Sequence, residues 1–188
     1  MPSEFKRFGV KVKPTETEAE AMEQAFDVLV TGVRGVAAEL TDPNDDWVPM
    51  WLIITKNQGT FVTGNAWKHD MAEYVGRLAR RFGAVAIGHL HSSWMIVQED
   101  MSRERFDEIH RFMRNGGSLE DVAESREIVL VAIYSASEAR QYQAPIVRDG
   151  EHPPTLGEFE LVGSTAHDES RIEGAMVDPL IAALKRVG

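Results

Sequence analysis

The sequence predicts an α+β fold: one mainly antiparallel sheet of five to six strands with helices packed against it. Three observations carry this expectation. Apolar residues recur at alternating steps of three and four across residues 19–40 and 71–82, which is helical spacing. Short runs rich in β-branched and aromatic residues at 51–55, 60–63, 85–97, 128–133, 141–148 and 158–162 read as strands. Most of these runs follow one another across short turns bearing Gly, Asn or Asp, and short turns favour antiparallel neighbours.

The elements follow in order. Thr15-x-x-Glu18 and Thr17-x-x-Glu20 each fit a capping box, in which hydroxyl and carboxylate satisfy the free N–H groups of a helix start. From there Ala19, Met22, Phe26, Leu29, Val33, Val36 and Leu40 form one apolar stripe. A turn cluster, Thr41-Asp-Pro-Asn-Asp-Asp46, ends that helix. Residues 51–63 read as a hairpin with Gly59 in its turn, and Asn65 as the cap of a second helix bearing Met71, Val75, Leu78 and Phe82. Gly83 stands where a left-handed helix end belongs. After the strand at 85–97, residues 98–125 form a polar helical insert with Ser102 as its cap and Phe106, Ile109 and Met113 on one side. Ile128–Ile133 has no polar break and reads as a central strand. Its hairpin partner carries Pro145, which points to an edge or an irregularity. A last strand at 158–162 precedes a short helix opened by Asp178-Pro179. The predicted order is helix, strand, strand, helix, strand, insert, three strands, helix, all within one domain spanning 1–188. Leu29, Val75 and Leu130 are expected in the core.

Composition narrows the classes of function. The chain has 188 residues, 43% of them hydrophobic, which is ample for a core of its own. It has no cysteine, and so no disulfide, thiol nucleophile or Cys-based zinc site. No apolar run approaches the ~20 residues of a membrane span. The N-terminal residues lack the apolar core of a signal peptide, so the expectation is a cytoplasmic protein with no membrane partner. A net charge of −10 argues against nucleic-acid binding, which is driven by cations neutralising phosphates. The charge is uneven. Residues 1–13 form a basic arm with Lys6, Arg7, Lys11 and Lys13 against Glu4, whereas residues 14–47 hold nine acids against Arg34.

The chemistry concentrates in Val85-Ala-Ile-Gly-His-Leu-His-Ser-Ser-Trp-Met-Ile-Val97. Side chains alternate faces along a strand, so Ile87, His89, His91, Ser93 and Met95 share one face, and Gly88, Leu90, Ser92 and Trp94 the other. Two neutral imidazoles about 6–7 Å apart by strand rise form half of a zinc site, or a pair of hydrogen-bonded polar residues at the rim of the core. The sequence shows no Gly-rich phosphate loop, no Gly-x-Ser-x-Gly elbow and no His-Glu-x-x-His.

Two resemblances attach to these residues. Ser93-Trp94-Met95, Arg126-Glu127 with the apolar strand after it, and Ile146-Val147-Arg148-Asp149-Gly150 resemble a family of small bacterial and phage proteins, over roughly residues 47–162. That family implies an α/β fold and no activity. His89-Leu90-His91 resembles the His-x-His strand of the JAB/MPN metalloproteases. The resemblance implies a zinc-dependent hydrolase with His89 and His91 as ligands. The chain departs from that pattern after the second histidine: Ser92, Glu99 and Ser102 stand where the family has Pro, Ser and Asp. Asp100 or Asp107 would then have to complete the set.

The leading expectation is a non-enzymatic accessory protein with no cofactor, acting through protein–protein contacts or self-association. The first helix and the insert at 98–125 are its expected contact surfaces. The alternative is a zinc hydrolase holding its metal with His89, His91 and Asp100.

Overall fold

A computed structural model of the chain describes residues 5–64, 68–96, 101–166 and 178–185. The elements run β1 (Phe5–Val10), α1 (Glu18–Ala37), β2 (Met50–Ile54), β3 (Gly59–Gly64), α2 (Lys68–Phe82), β4 (Ala86–Ile96), α3 (Arg103–Arg114), a short 3-10 turn (Leu119–Asp121), β5 (Ser125–Tyr134), β6 (Glu138–Val147), β7 (Thr155–Leu156), β8 (Glu160–Ala166) and α4 (Asp178–Leu184). The strands form one antiparallel sheet in the order β1-β3-β2-β4-β5-β6, with β7 and β8 both pairing along the outer side of β6.

The α+β class and the antiparallel sheet are as expected, but the sheet has eight strands rather than five to six. The two that the sequence pattern missed are β1 and the two-residue β7. Over Phe5–Val10 the basic arm is an edge strand. Lys6 through Gly9 are all exposed, so no apolar alternation marks it.

Helices cover both faces of the sheet. On one, α1 buries Ala21, Met22, Ala25, Leu29 and Val33 over Leu52, Ile54, Leu90, Val129, Val131 and Ile133. On the other, Met71, Val75 and Leu78 of α2 and Leu180, Ala183 and Leu184 of α4 cover Trp51, Ile53, Ile87 and Ala132. The apolar stripe of α1 is thus spent on its own sheet, which removes that stripe from the expected contact surfaces. Two close approaches need glycine. A Cβ on Gly88 would sit 2.5 Å from Leu29 Cδ1, so its absence lets α1 settle onto β4. A Cβ on Gly76 would sit 2.9 Å from the Pro179 carbonyl oxygen, where α2 meets the start of α4.

Local chemistry sets the boundaries. Of the two capping boxes, Thr17 and Glu20 form the real one: the Glu20 N–H donates to Thr17 Oγ1 at 3.2 Å, and the Thr17 N–H to Glu20 Oε2 at 3.2 Å. Thr15 is buried instead, its N–H donating to the Lys56 carbonyl at 2.8 Å. Asn65, the expected cap of α2, lies outside the described residues, whereas Gly83 closes that helix at φ +67° as expected. Ser102 caps α3 by accepting from the Arg105 N–H at 3.2 Å.

β5 is a central strand between β4 and β6. Leu29 and Val75 are fully buried, but Leu130 is only half-buried, because α2 and α4 cover the other half of that face. Pro145 falls where β6 passes from β8, paired through Gln143, to β7, paired from Ile146. A residue with no N–H costs the sheet nothing at that junction. The Pro145 carbonyl instead accepts from the Gly157 N–H at 2.9 Å.

Tyr134 ends β5 in the core at 5% exposure, and burial pushes its phenol up to about 12. The folded state therefore holds this proton more tightly than the unfolded chain, whose tyrosine titrates near ~10. This contribution to stability is complete below about pH 10 and fades as pH rises toward 12. Urea melts from pH 8 to 11.5 should show a steeper alkaline loss in wild type than in Tyr134→Phe, the full difference approaching about 2–3 kcal/mol. Parallel curves would show that the phenol ionises freely in the fold.

Candidate functional site

β4 brings the sequence-predicted histidines to the face beneath α2. Its register with β2 sets His89 directly opposite Trp51, and its register with β5 sets His89 opposite Ala132 and His91 opposite Leu130. The rings lean together more than strand rise alone implies. Trp51 and His89 stack at 3.8 Å between centroids and 17° between planes, and His89 and His91 stack at 4.6 Å and 22°. The three rings run from the interior outward: Trp51 is 1% exposed, His89 2% exposed and His91 half-buried. An imidazole between an indole and a second imidazole is held by dispersion and by the geometry of the stack.

The residues around the pair have their own structural reasons. Gly88, next to His89 in sequence, makes room for Leu29 on the opposite face. Ser92 also faces away from the histidines, and its hydroxyl donates to Asp46 Oδ2 at 2.9 Å. It is therefore no partner for a histidine base. Asp100 lies outside the described residues. Asp107 is exposed on α3, with its backbone carbonyl accepting from Arg111 Nε at 3.4 Å. Among the described residues, no group of three His, Asp or Glu side chains is placed to hold a metal ion. Zinc hydrolases need three protein ligands and an open position, and the described residues supply two imidazoles.

A second constellation lies at the end of the sheet on the α1 face, where β4, β5 and β6 run past that helix. Arg148 Nε and Nη2 fork onto the Glu127 carboxylate at 2.6 and 2.9 Å. Its Nη1 donates to the carbonyls of Pro43 and Asp45, both at 2.8 Å, and Nη2 lies 3.8 Å from Asp46 Oδ1. Glu127 faces Trp94 across the β4–β5 ladder. Loop 41–47 is thereby fastened to three strands. Within it, Asp45 accepts the N–H groups of Thr41 and Asp42 at 2.8 Å each, and these bonds hold its carboxyl below the usual range. Trp47 Nε1–H reaches back to the Val33 carbonyl at 3.1 Å. Beside the clamp, Asp149 accepts from the backbone of His152 and Glu151 and from the His152 ring, which lowers its carboxyl to about 2.

The segments around Trp94, Glu127 and Arg148, which carry the first resemblance, thus meet at one end of the sheet. With its fork on Glu127 and two backbone carbonyls on the remaining nitrogen, Arg148 is committed to holding the fold. The cluster joins segments far apart in the chain, so no single motif displays it. The signal was present in the hairpin register, which places residues 127 and 148 as diagonal neighbours on one face.

No protein-family model, curated protein or solved structure matches the chain. Among the described residues, no helix is long and apolar enough to cross a membrane.

Proposed function

We propose that this chain is a non-enzymatic accessory protein that works through protein–protein contact. The observation that supports this reading is the surface of α3. Of its apolar residues only Ile109 is buried, while Phe112 and Met113 stand 42% and 38% exposed. Phe106 and His110 form a ring pair beside them at 4.4 Å. Exposed aromatic and methionine side chains on one helix are the kind of anchors that interfaces use. The helix is also well built for display: Ser102 caps its start, Arg105 bridges to Glu124 at 2.8 Å, and Gly116 ends it at φ +89°.

A Phe112→Asp, Met113→Asp double variant removes both anchors without touching the core. Proximity cross-linking in native extract should give wild-type adducts that this variant loses. Adducts that persist unchanged in the variant would refute α3 as the contact surface. Light scattering on the purified protein across a concentration series separates a foreign partner from self-association.

A second reading rests on the stacked pair at β4, where two imidazoles lie 4.6 Å apart with the outer one reaching the surface. In this reading His89 and His91 hold zinc, with the carboxylate of Asp100 as the third ligand. Elemental analysis of protein from zinc-supplemented growth should then find one equivalent, lost in His91→Ala, whose half-exposed position spares the core. Metal-free protein would remove this reading.

A further inference from the structure

The outer edge of the sheet at β1 carries features that neither α3 nor the histidine pair explains. Among the described residues β1 pairs only with β3, so its outward backbone N–H and C=O groups have no strand to meet. Natural sheets blunt such edges with charged residues, and Lys6 and Arg7 fit that habit. Phe8 does not. It stands 54% exposed in the middle of the edge strand, on the same face as its cross-strand neighbour Phe61, itself packed against Gly32 of α1. A purely protective edge would place a polar side chain there. A groove of about 490 Å³ lies at the C-terminal end of β1, on its paired side, between Gly9–Val12 and the β2–β3 turn at Asn57–Thr60.

Charge indicates what would lie along this edge. Lys6, Arg7, Lys11 and Lys13 are the only charged residues between positions 5 and 13, in a chain of net charge −10. Among the described residues none of the four has an ion-pair partner. Lys6 shares the α1 face with Phe8, and Arg7 points to the other face. A second copy of the chain pairing β1 with β1 would bring both sets of cations together, which like-charge repulsion disfavours.

We propose that the β1 edge binds an extended, acidic segment of a partner protein by strand addition. The backbone of β1 supplies the ladder, Phe8 receives an apolar side chain, and Lys6 and Arg7 meet carboxylates on opposite faces, with Lys11 and Lys13 just beyond the end of the strand. The proposal extends the reading of this chain as an interaction protein but uses a surface separate from α3.

The test uses the full chain and a fluorescent peptide of roughly ten residues, about two strand lengths, built on Glu-Glu-Val-Val repeats so that each face carries both carboxylates and apolar side chains. Anisotropy at low salt should show saturable binding that weakens at about 0.3 M salt. Lys6→Glu with Arg7→Glu, both on the exposed edge, should weaken it at least about tenfold while circular dichroism stays unchanged. A peptide N-methylated at alternate residues should weaken comparably, since it cannot complete the ladder. Hydrogen exchange should slow at the amides of residues 5–10 when the unmethylated peptide is bound. Phe112→Asp, Met113→Asp should leave all of this intact, so failure at α3 and failure at β1 are told apart. Three results would overturn the proposal. One is no binding up to about 1 mM peptide. Another is binding indifferent to N-methylation, which is charge capture alone. The third is a peptide-free dimer abolished by the Lys6→Glu, Arg7→Glu pair, which assigns the edge to a second copy.

Discussion

Trp51→Ala is expected to destabilise the folded chain by about 3–5 kcal/mol in urea denaturation. Trp51 is 1% exposed in β2, with β3 on one side and β4 on the other, and it belongs to the core under α2 and α4. Truncation removes the largest side-chain type and leaves a void that close-packed neighbours refill only in part. It also uncovers one face of His89, whose ring lies 3.8 Å away. Trp51→Phe keeps a flat ring against the imidazole and should lose less than half as much. A cycle pairing Trp51→Leu, which removes the aromatic face, with His89→Gln should report a coupling of about 0.5–1.5 kcal/mol from the stack itself. A cost below about 1 kcal/mol for Trp51→Ala would mean that the sheet centre is not packed as described.

Arg148→Ala should cost about 3–4 kcal/mol, since it strands a carboxylate that is nearly out of water. The side chains of Arg148 and Glu127 are 27% and 11% exposed, so solvent screens this pair far less than a surface bridge. The same change releases the carbonyls of Pro43 and Asp45, which lose both hydrogen bonds from Nη1. Arg148→Lys keeps the charge but not the fork, and should recover no more than about half of the loss. Loop 41–47 should loosen in both variants, read as faster hydrogen exchange at its amides. Glu127→Gln combined with Arg148→Ala should cost less than the sum of the two, because the stranded charge is then gone. A loss under about 0.5 kcal/mol in Arg148→Ala would mean that the clamp is ornamental.

Much of the fold was legible because its elements obey local rules. α1 was marked by its cap and its three-four spacing, although the face that is buried turns on Ala21 and Ala25 rather than Ala19. The β5–β6 hairpin was legible from an unbroken apolar run and a following turn. β1 was not, because an edge strand exposed on both faces has no reason to alternate apolar and polar residues. The histidine pair is plain in the sequence, and its shared face follows from strand geometry. Its stacking partner was hidden. Trp51 meets His89 only because β2 pairs with β4, a contact between strands separated in sequence by β3 and α2. The role of Gly88 is hidden for a related reason: it serves packing of α1 on the opposite face, a contact far away in sequence.

Pro145 divides the outer flank of β6 into two short ladders, and this has a kinetic side. β7 is held to β6 by two residue pairs, and β8 by six with a register shift between Gln141 and Tyr142. Neither ladder continues into the other, so neither must open when the other does. The far flank of β6 is thus a pair of small cooperative units beside a rigid centre. Breathing motions there can expose β6 over Glu138–Gln143 while the Arg148 clamp, beyond the proline, keeps the other end of the same strand closed. A protease or an exchange experiment would find one strand with two lifetimes, divided at a single residue.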